Sequence, residues 1–235
     1  MTIINKTERE IIKFTKEKSG SLVIIGMPIG NFDDLTPRAL SGLKNCSLVL
    51  CEDTRASMVF FKYFGITVPL VSYVGNYEKS IKMAISEIKK GLNVGLICDR
   101  GMVGISDPGA KVVAHLRNEK IKIDCVPGVS SLTTAFSLSG YFGSFIFHGF
   151  LPRKKNEFVK LLQNLEKLDY NLVFFESPLR LEKSLEIFAE ILPNREITIA
   201  RELTKPYEEI IQGYPQDLKN LELKGELVLI VKKNN

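Results

Sequence analysis

The side chains able to do chemistry in this sequence fall into short clusters, each following a run of β-prone residues. GMPIGN follows the first run, EDTR (Glu52 to Arg55) the second and CDRGMVGISDPG (Cys98 to Gly109) a later one; PGVSS (Pro127 to Ser131), ESPLR (Glu176 to Arg180) and RELTK (Arg201 to Lys205) continue the series. Glu52, Asp53 and Glu202 are carboxylates able to accept a proton, and Lys205 is a candidate for the same role beside Glu202. Arg55 and Arg201 offer the guanidinium fork that matches phosphate oxygens. Pro127 and Gly128, followed by Ser130 and Ser131, open a helix whose free amides and hydroxyls suit a carboxylate or a ribose, although simple capping explains them too. Asp107-Pro108 reads equally as a helix cap with its first-turn proline. Glu52 and Asp53 beside Arg55 also fit an ordinary surface ion pair.

Several chemistries are excluded. His115 and His148 are too isolated for a metal cluster or a Ser-His triad. Cys46, Cys51, Cys98 and Cys125 are spread out, adjoin aliphatic runs and form no CxxC pair, which predicts reduced, buried thiols and no zinc. GMPIGN lacks the spacing of a GxGxxG dinucleotide fingerprint. A formal net charge of +5 is compatible with a polyanionic partner. The N-terminal residues lack a signal-peptide pattern, and no apolar stretch spans a bilayer, so a cytoplasmic protein without a membrane partner is expected.

The elements that must position these clusters alternate along the chain. Strands are predicted at Leu22 to Ile25, Ser47 to Cys51, Asn93 to Cys98, Ile121 to Cys125, Phe145 to His148, Leu172 to Phe175, Ile197 to Ala200 and Glu226 to Val231. Helices are predicted at Pro37 to Lys44, Ser57 to Phe64, Lys79 to Lys90, Ala110 to Glu119, Asn156 to Leu168 and Leu181 to Ile191. This is the pattern of crossover units on a largely parallel sheet, an α/β fold. Ligands of such sheets bind outside the carboxyl ends of the strands, so the clusters should line one cleft. The organisation expected is an appended segment at 1–18, an α/β domain at 19–148 and a second at 149–235, with the junction in Gly149 to Lys155, where Arg153, Lys154 and Lys155 form a basic run.

Read in order, PIGN, EDTR, DxG followed by SDPG, PGxSx, GFLP, FESPxRL, ARELTK and KGELVLIV resemble the tetrapyrrole methylase superfamily, and within it the bacterial 16S rRNA cytidine 2′-O-methyltransferases, from about Gly20 to Val231. The resemblance implies a two-domain fold with S-adenosyl-L-methionine in the cleft between domains, 16S rRNA or the small ribosomal subunit as acceptor, and a homodimer. It assigns the cofactor to Pro28, Ile29, Gly30, Asp99, Gly101, Met102, Ser106, Asp107, Gly109, Pro127, Gly128, Ser130 and Ser131, with Leu151 and Pro152 contributing from GFLP. EDTR and ARELTK then face the acceptor: Asp53, Glu52 and Glu202 are candidate bases, Arg55, Arg201 and Lys205 phosphate clamps, and Arg153, Lys154 and Lys155 a further RNA contact.

This chain departs from the branch's usual TPIGN, DAGTP and ESPHR at Met27, at Arg100 with Met102-Val103, and at Leu179. Arg100 sets a cation beside a loop expected to cradle a sulfonium. If it lines the pocket, Arg100→Ala should tighten cofactor binding; if it faces RNA, cofactor affinity should not change. A methyltransferase acting on a small tetrapyrrole and a catalytically silent RNA-binding relative are the alternatives.

Overall fold

Strands that are apolar on both faces organise the first half of the chain. The computed structural model describes residues 20–234, so the segment expected at 1–18 lies outside the described residues. Strands β1 (Leu22–Ile25), β2 (Leu48–Cys51), β3 (Leu70–Ser72), β4 (Val94–Leu96) and β5 (Ile123–Val126) form a parallel sheet in the order β3-β2-β4-β1-β5. Side chains alternate across it with a period of two. On β2, Leu48 and Leu50 join the core under helices α3 (Tyr77–Lys89) and α4 (Gly109–Asn118), while Val49 and Cys51 join the core under α1 (Pro37–Lys44) and α2 (Thr54–Tyr63). Thr36 caps α1 by accepting from the Ala39 amide at 3.0 Å, and Pro37 fills the first helical turn where no amide hydrogen is needed.

The connection leaving β1 runs to the α1 face and that leaving β4 to the α4 face. The two strands are neighbours, so a crevice opens between their carboxyl ends.

The second sheet takes β6 (Phe145–Phe150), β7 (Asn171–Glu176), β8 (Ile197–Arg201), β9 (Glu209–Gly213) and β10 (Leu227–Val231) in the order β6-β7-β10-β8-β9. Only β6 and β7 are parallel; β7 with β10, β10 with β8, and β8 with β9 are antiparallel. The expectation of a largely parallel sheet therefore holds for the first sheet alone. Residues 202–208 are too few for a crossover between β8 and β9, and a parallel connection takes a dozen or more residues.

One face of this sheet packs on α6 (Lys155–Glu166) and α7 (Pro178–Ile191), through Phe158, Leu162, Leu185 and Phe188. The other receives α5 (Ser131–Ser139) and, from the loop after β1, Ile29. Phe145 and Phe147 pack on this second face, so β6 belongs wholly to the second sheet and the division expected between residues 148 and 149 falls inside a strand. Four short elements were not predicted as such: a 3-10 turn at Phe32–Asp34, β3, β9 and the body of α5. Among the described residues no helix is long and apolar enough to cross a membrane.

The two loops that join the sheets meet at a pair of glycines. A Cβ on Gly26 lies 2.5 Å from the Gly128 amide nitrogen, and one on Gly128 lies 2.8 Å from the Gly26 Cα, closer than real side chains allow. Gly26→Ala should lower the unfolding free energy by about 1–3 kcal/mol through this backbone clash. Gly42→Ala, whose new methyl meets nothing nearer than Ile25 Cδ1 at 3.5 Å inside α1, should be neutral or stabilise by up to about 1 kcal/mol. Urea midpoints of the two variants against the parent chain check the contrast.

Candidate functional site

Backbone contacts draw the strand-end loops together. Met27 and Gly101 exchange amide hydrogen bonds of 2.9 and 3.1 Å, an isolated antiparallel bridge across the β1/β4 crevice. The Met102 sulfur accepts from the Gly128 amide at 3.2 Å and brings in the loop after β5. The loop after β2 is tied to that after β4: the Asp53 amide donates to Asp99 at 3.3 Å and the Asp99 amide donates to Glu52 at 3.1 Å. The Asn31 amide donates to the Thr204 hydroxyl at 3.0 Å, and Gly30 packs against residues 203–205, which joins the first sheet to the loop after β8.

Between the sheets lies a cavity of about 360 Å³, within the range of small-molecule sites. Its walls are largely apolar, from Ile29, Ile105, Phe150, Phe175, Leu203 and Val228, with the hydroxyls of Ser106, Ser131 and Ser177 set among them. Asp107 shapes one wall indirectly. Its carboxylate accepts from the amides of Gly104, Ile105 and Gly109 at 2.5, 3.0 and 2.7 Å, and in this turn Ser106 adopts a φ of +65° that places it at the cavity. Gly149, with φ of +87°, leaves room for the Ser106 hydroxyl, which comes within 2.6 Å of where a Cβ would stand.

The other expected cofactor residues divide between lining and support. Pro28 and Gly101 are buried in the loop clamp, Gly109 opens α4, Pro127 is exposed, and Ser130 is the N-cap of α5 without a side-chain capping bond. Of the GFLP stretch, Phe150 reaches the cavity; Leu151 is buried in the second core and Pro152 lines a groove against α7.

The carboxylates occupy different environments. Asp53 caps α2 and accepts from the Arg55 amide and guanidinium at 2.7 to 3.1 Å; those bonds hold its carboxyl down at about 2. Glu52 is half-buried, and burial pushes its carboxyl above the usual range against the opposing pull of the Asp99 amide. Burial also acts to raise Glu202, but Lys205 at 2.7 Å and the Glu226 amide at 2.8 Å outweigh it and leave Glu202 lowered. Lys205 is shared with Glu226 at 3.0 Å, so it is already charge-paired twice.

Several cations predicted to clamp phosphate are engaged elsewhere. Arg201 donates to the carbonyls of Lys224 and Tyr207 and to Glu209, which fastens the β8–β9 hairpin and leaves its side chain only 20% exposed. Lys154 pairs with Glu157 at 3.1 Å and Lys155 with Glu190 at 3.5 Å, while Arg153 and Lys155 line the α6–α7 groove and not the cavity. Arg55 is 90% exposed beside Asp53. Arg100 lines the cavity and pairs with Glu226.

The sequence reading placed ESPLR among the cleft-lining clusters and KGELVLIV among the family motifs but gave Glu176, Arg180 and residues 225–228 no individual role. The Glu176 carboxylate is 1% exposed and accepts from the Ser177 amide at 2.6 Å, Arg180 Nε at 2.7 Å and the Ser184 hydroxyl at 2.7 Å; Arg180 also donates to the Leu151 carbonyl at 3.0 Å. This network fixes the turn after β7 to the end of β6. The i, i+4 spacing of Glu176 and Arg180 was the available signal.

The family model for tetrapyrrole (corrin/porphyrin) methylases matches residues 21–219. A Thermotoga maritima protein named ribosomal RNA small subunit methyltransferase I is 46% identical over 83% of this chain and 88% of its own length. A protein of the same name from Rickettsia prowazekii is 44% identical over 92% of this chain and 79% of its own. Among solved structures, uroporphyrin-III C-methyl transferase from Thermus thermophilus complexed with S-adenyl homocysteine aligns with a TM-score of 0.63 at 16% identity, covering 91% of this chain and 97% of its own, a likeness of fold.

Glu176→Ala should destabilise the chain by about 2–3 kcal/mol, less than a fully buried pair because Arg180 keeps some contact with water. Arg55→Ala should stay within about 0.5 kcal/mol of the parent. Thermal unfolding of the two variants provides the comparison.

Proposed function

The chain belongs to the tetrapyrrole (corrin/porphyrin) methylases, and from that premise we propose that it transfers the methyl group of S-adenosylmethionine to small-subunit ribosomal RNA. The acceptor we assign is a cytidine ribose 2′-hydroxyl of 16S rRNA, on the ordered motifs PIGN to KGELVLIV. The observation that carries the reading is the convergence of loops from both sheets on one apolar, hydroxyl-studded cavity, in a chain 46% identical to a small-subunit rRNA methyltransferase.

The residues present suit the cofactor. Apolar walls from Ile29, Phe150 and Leu203 match an adenine face, Ser106 and Ser131 match ribose hydroxyls, and the glycines at 30 and 149 remove side chains that would meet the opposite wall. When bound, S-adenosylmethionine supplies an electrophilic methyl group on a sulfonium. The protein's task is then alignment and exclusion of water, which needs few dedicated catalytic groups.

A ribose hydroxyl is a weak acid, so a base helps. Glu52 suits this role best among the candidates, because burial raises its proton affinity while Arg55 depresses that of Asp53, and Lys205 with the Glu226 amide depresses that of Glu202. Glu52 works as a base only when ionised. With its carboxyl raised, activity is full above its titration and falls on acidification at a higher pH than an ordinary carboxylate gives. Arg55, 90% exposed beside Asp53, is the candidate we assign to an RNA phosphate, with Arg153 and Lys154 as outlying contacts. A second copy is assigned to the exposed apolar residues of α2, Val59 at 63% and Tyr63 at 65%.

Incubation with labelled S-adenosylmethionine and small ribosomal subunits from cells lacking the modification should place label on one ribose. Glu52→Gln should slow transfer by about 10²–10⁴-fold with RNA binding retained. Label on a base, or transfer to a porphyrinoid with none on RNA, overturns the assignment.

A further inference from the structure

Arg100 is the one cationic side chain among the residues lining the cavity, and it meets Glu226 across the gap between the sheets. Arg100 comes from the loop after β4, and Glu226 immediately precedes β10. We propose that this ion pair is the dock for the amino-acid end of the adenosyl ligand, Arg100 taking the α-carboxylate and Glu226 the α-ammonium. The proposal rests on the methyltransferase reading and names the subsite within it.

Opening the pair costs little. The two side chains are 48% and 61% exposed, and ion pairs so solvated contribute about 0–1 kcal/mol. Opening it also strands no charge. Glu226 keeps Lys205 at 3.0 Å when Arg100 turns away, and Lys205 keeps Glu202 at 2.7 Å. Lys205 thus anchors Glu226 at the cavity wall whether or not Arg100 is bound to it.

A zwitterion is the ligand that such a pair complements. It exchanges one internal ion pair for two, with the planar guanidinium meeting a carboxylate through two parallel hydrogen bonds. The remaining walls are apolar at Phe150, Phe175 and Leu203 and neutral at the serine hydroxyls, and the one other charged lining group, Glu176, is 1% exposed and already bonded to Arg180, so the amino-acid end of an adenosyl ligand has its charge complement at Arg100 and Glu226. Of the two sequence-based alternatives, the one in which Arg100 lines the pocket had it repelling a sulfonium, so that its removal tightens binding. With Arg100 on the α-carboxylate of the ligand, attraction outweighs that repulsion, and the expected sign reverses.

Calorimetry on the full chain with two ligands tests this. S-adenosylhomocysteine carries the amino-acid end; 5′-methylthioadenosine keeps the nucleoside and thioether without it. Arg100→Ala should weaken S-adenosylhomocysteine binding by about tenfold or more, as loss of a charge-assisted bidentate contact requires, and leave 5′-methylthioadenosine within about twofold. Arg100→Lys, which keeps the charge without the fork, should fall between. Unchanged or tighter S-adenosylhomocysteine binding by Arg100→Ala, or an equal loss for both ligands, overturns the proposal while leaving the methyltransferase reading intact. Failure of the parent chain to bind either ligand overturns both.

Discussion

The close approach of backbone at Gly26 and Gly128 is the constraint on which the site depends. With no side chain at either position, the loops after β1 and β5 touch, and the Met27–Gly101 bridge adds the loop after β4. The clamp then projects residues 28–30 forward. Ile29 reaches the core on the far sheet, and Gly30 lets residues 203–205 press against the loop. Two sheets built on different principles, one parallel and one mainly antiparallel, are thereby held at a distance that leaves a cavity between them.

Within that frame the charged residues are sorted by what they touch. Three candidate bases carry the same functional group, yet Asp53 is held low by Arg55, Glu202 is held low by Lys205 and the Glu226 amide against its burial, and only in Glu52 does burial prevail. The cations are sorted in the same way. Arg201 and Arg180 are committed to carbonyls and carboxylates that hold turns together, whereas Arg55 and Arg100 retain exposed guanidinium groups. A lysine shared between two glutamates and an arginine paired across the gap make residues 202, 205, 226 and 100 one connected charge system, of which Arg100 and Glu226 line the cavity.

The sequence by itself determined the elements with strong local signals. Thr36-Pro37 marks the start of α1 because a capping hydroxyl and a fixed φ act within a few residues, and the continuous apolar runs of β1 and β2 read as buried strand because each feeds two cores. The ordered strand-end motifs likewise announced the family, since their order is a property of the chain alone. Tertiary structure decided what depends on neighbours distant in sequence. β10 enters between β7 and β8, so residues 225–228 reach the cavity although nothing in their periodicity says so. β9 is an exposed edge whose pairing with β8 is set by a hairpin, and β6 falls in the second sheet because Phe145 and Phe147 pack on its face. The roles of Arg201, Leu151, Glu52 and Arg100 were illegible for the same reason: a side chain's charge state and partners are fixed by what surrounds it in space, and that environment is assembled only when both sheets meet.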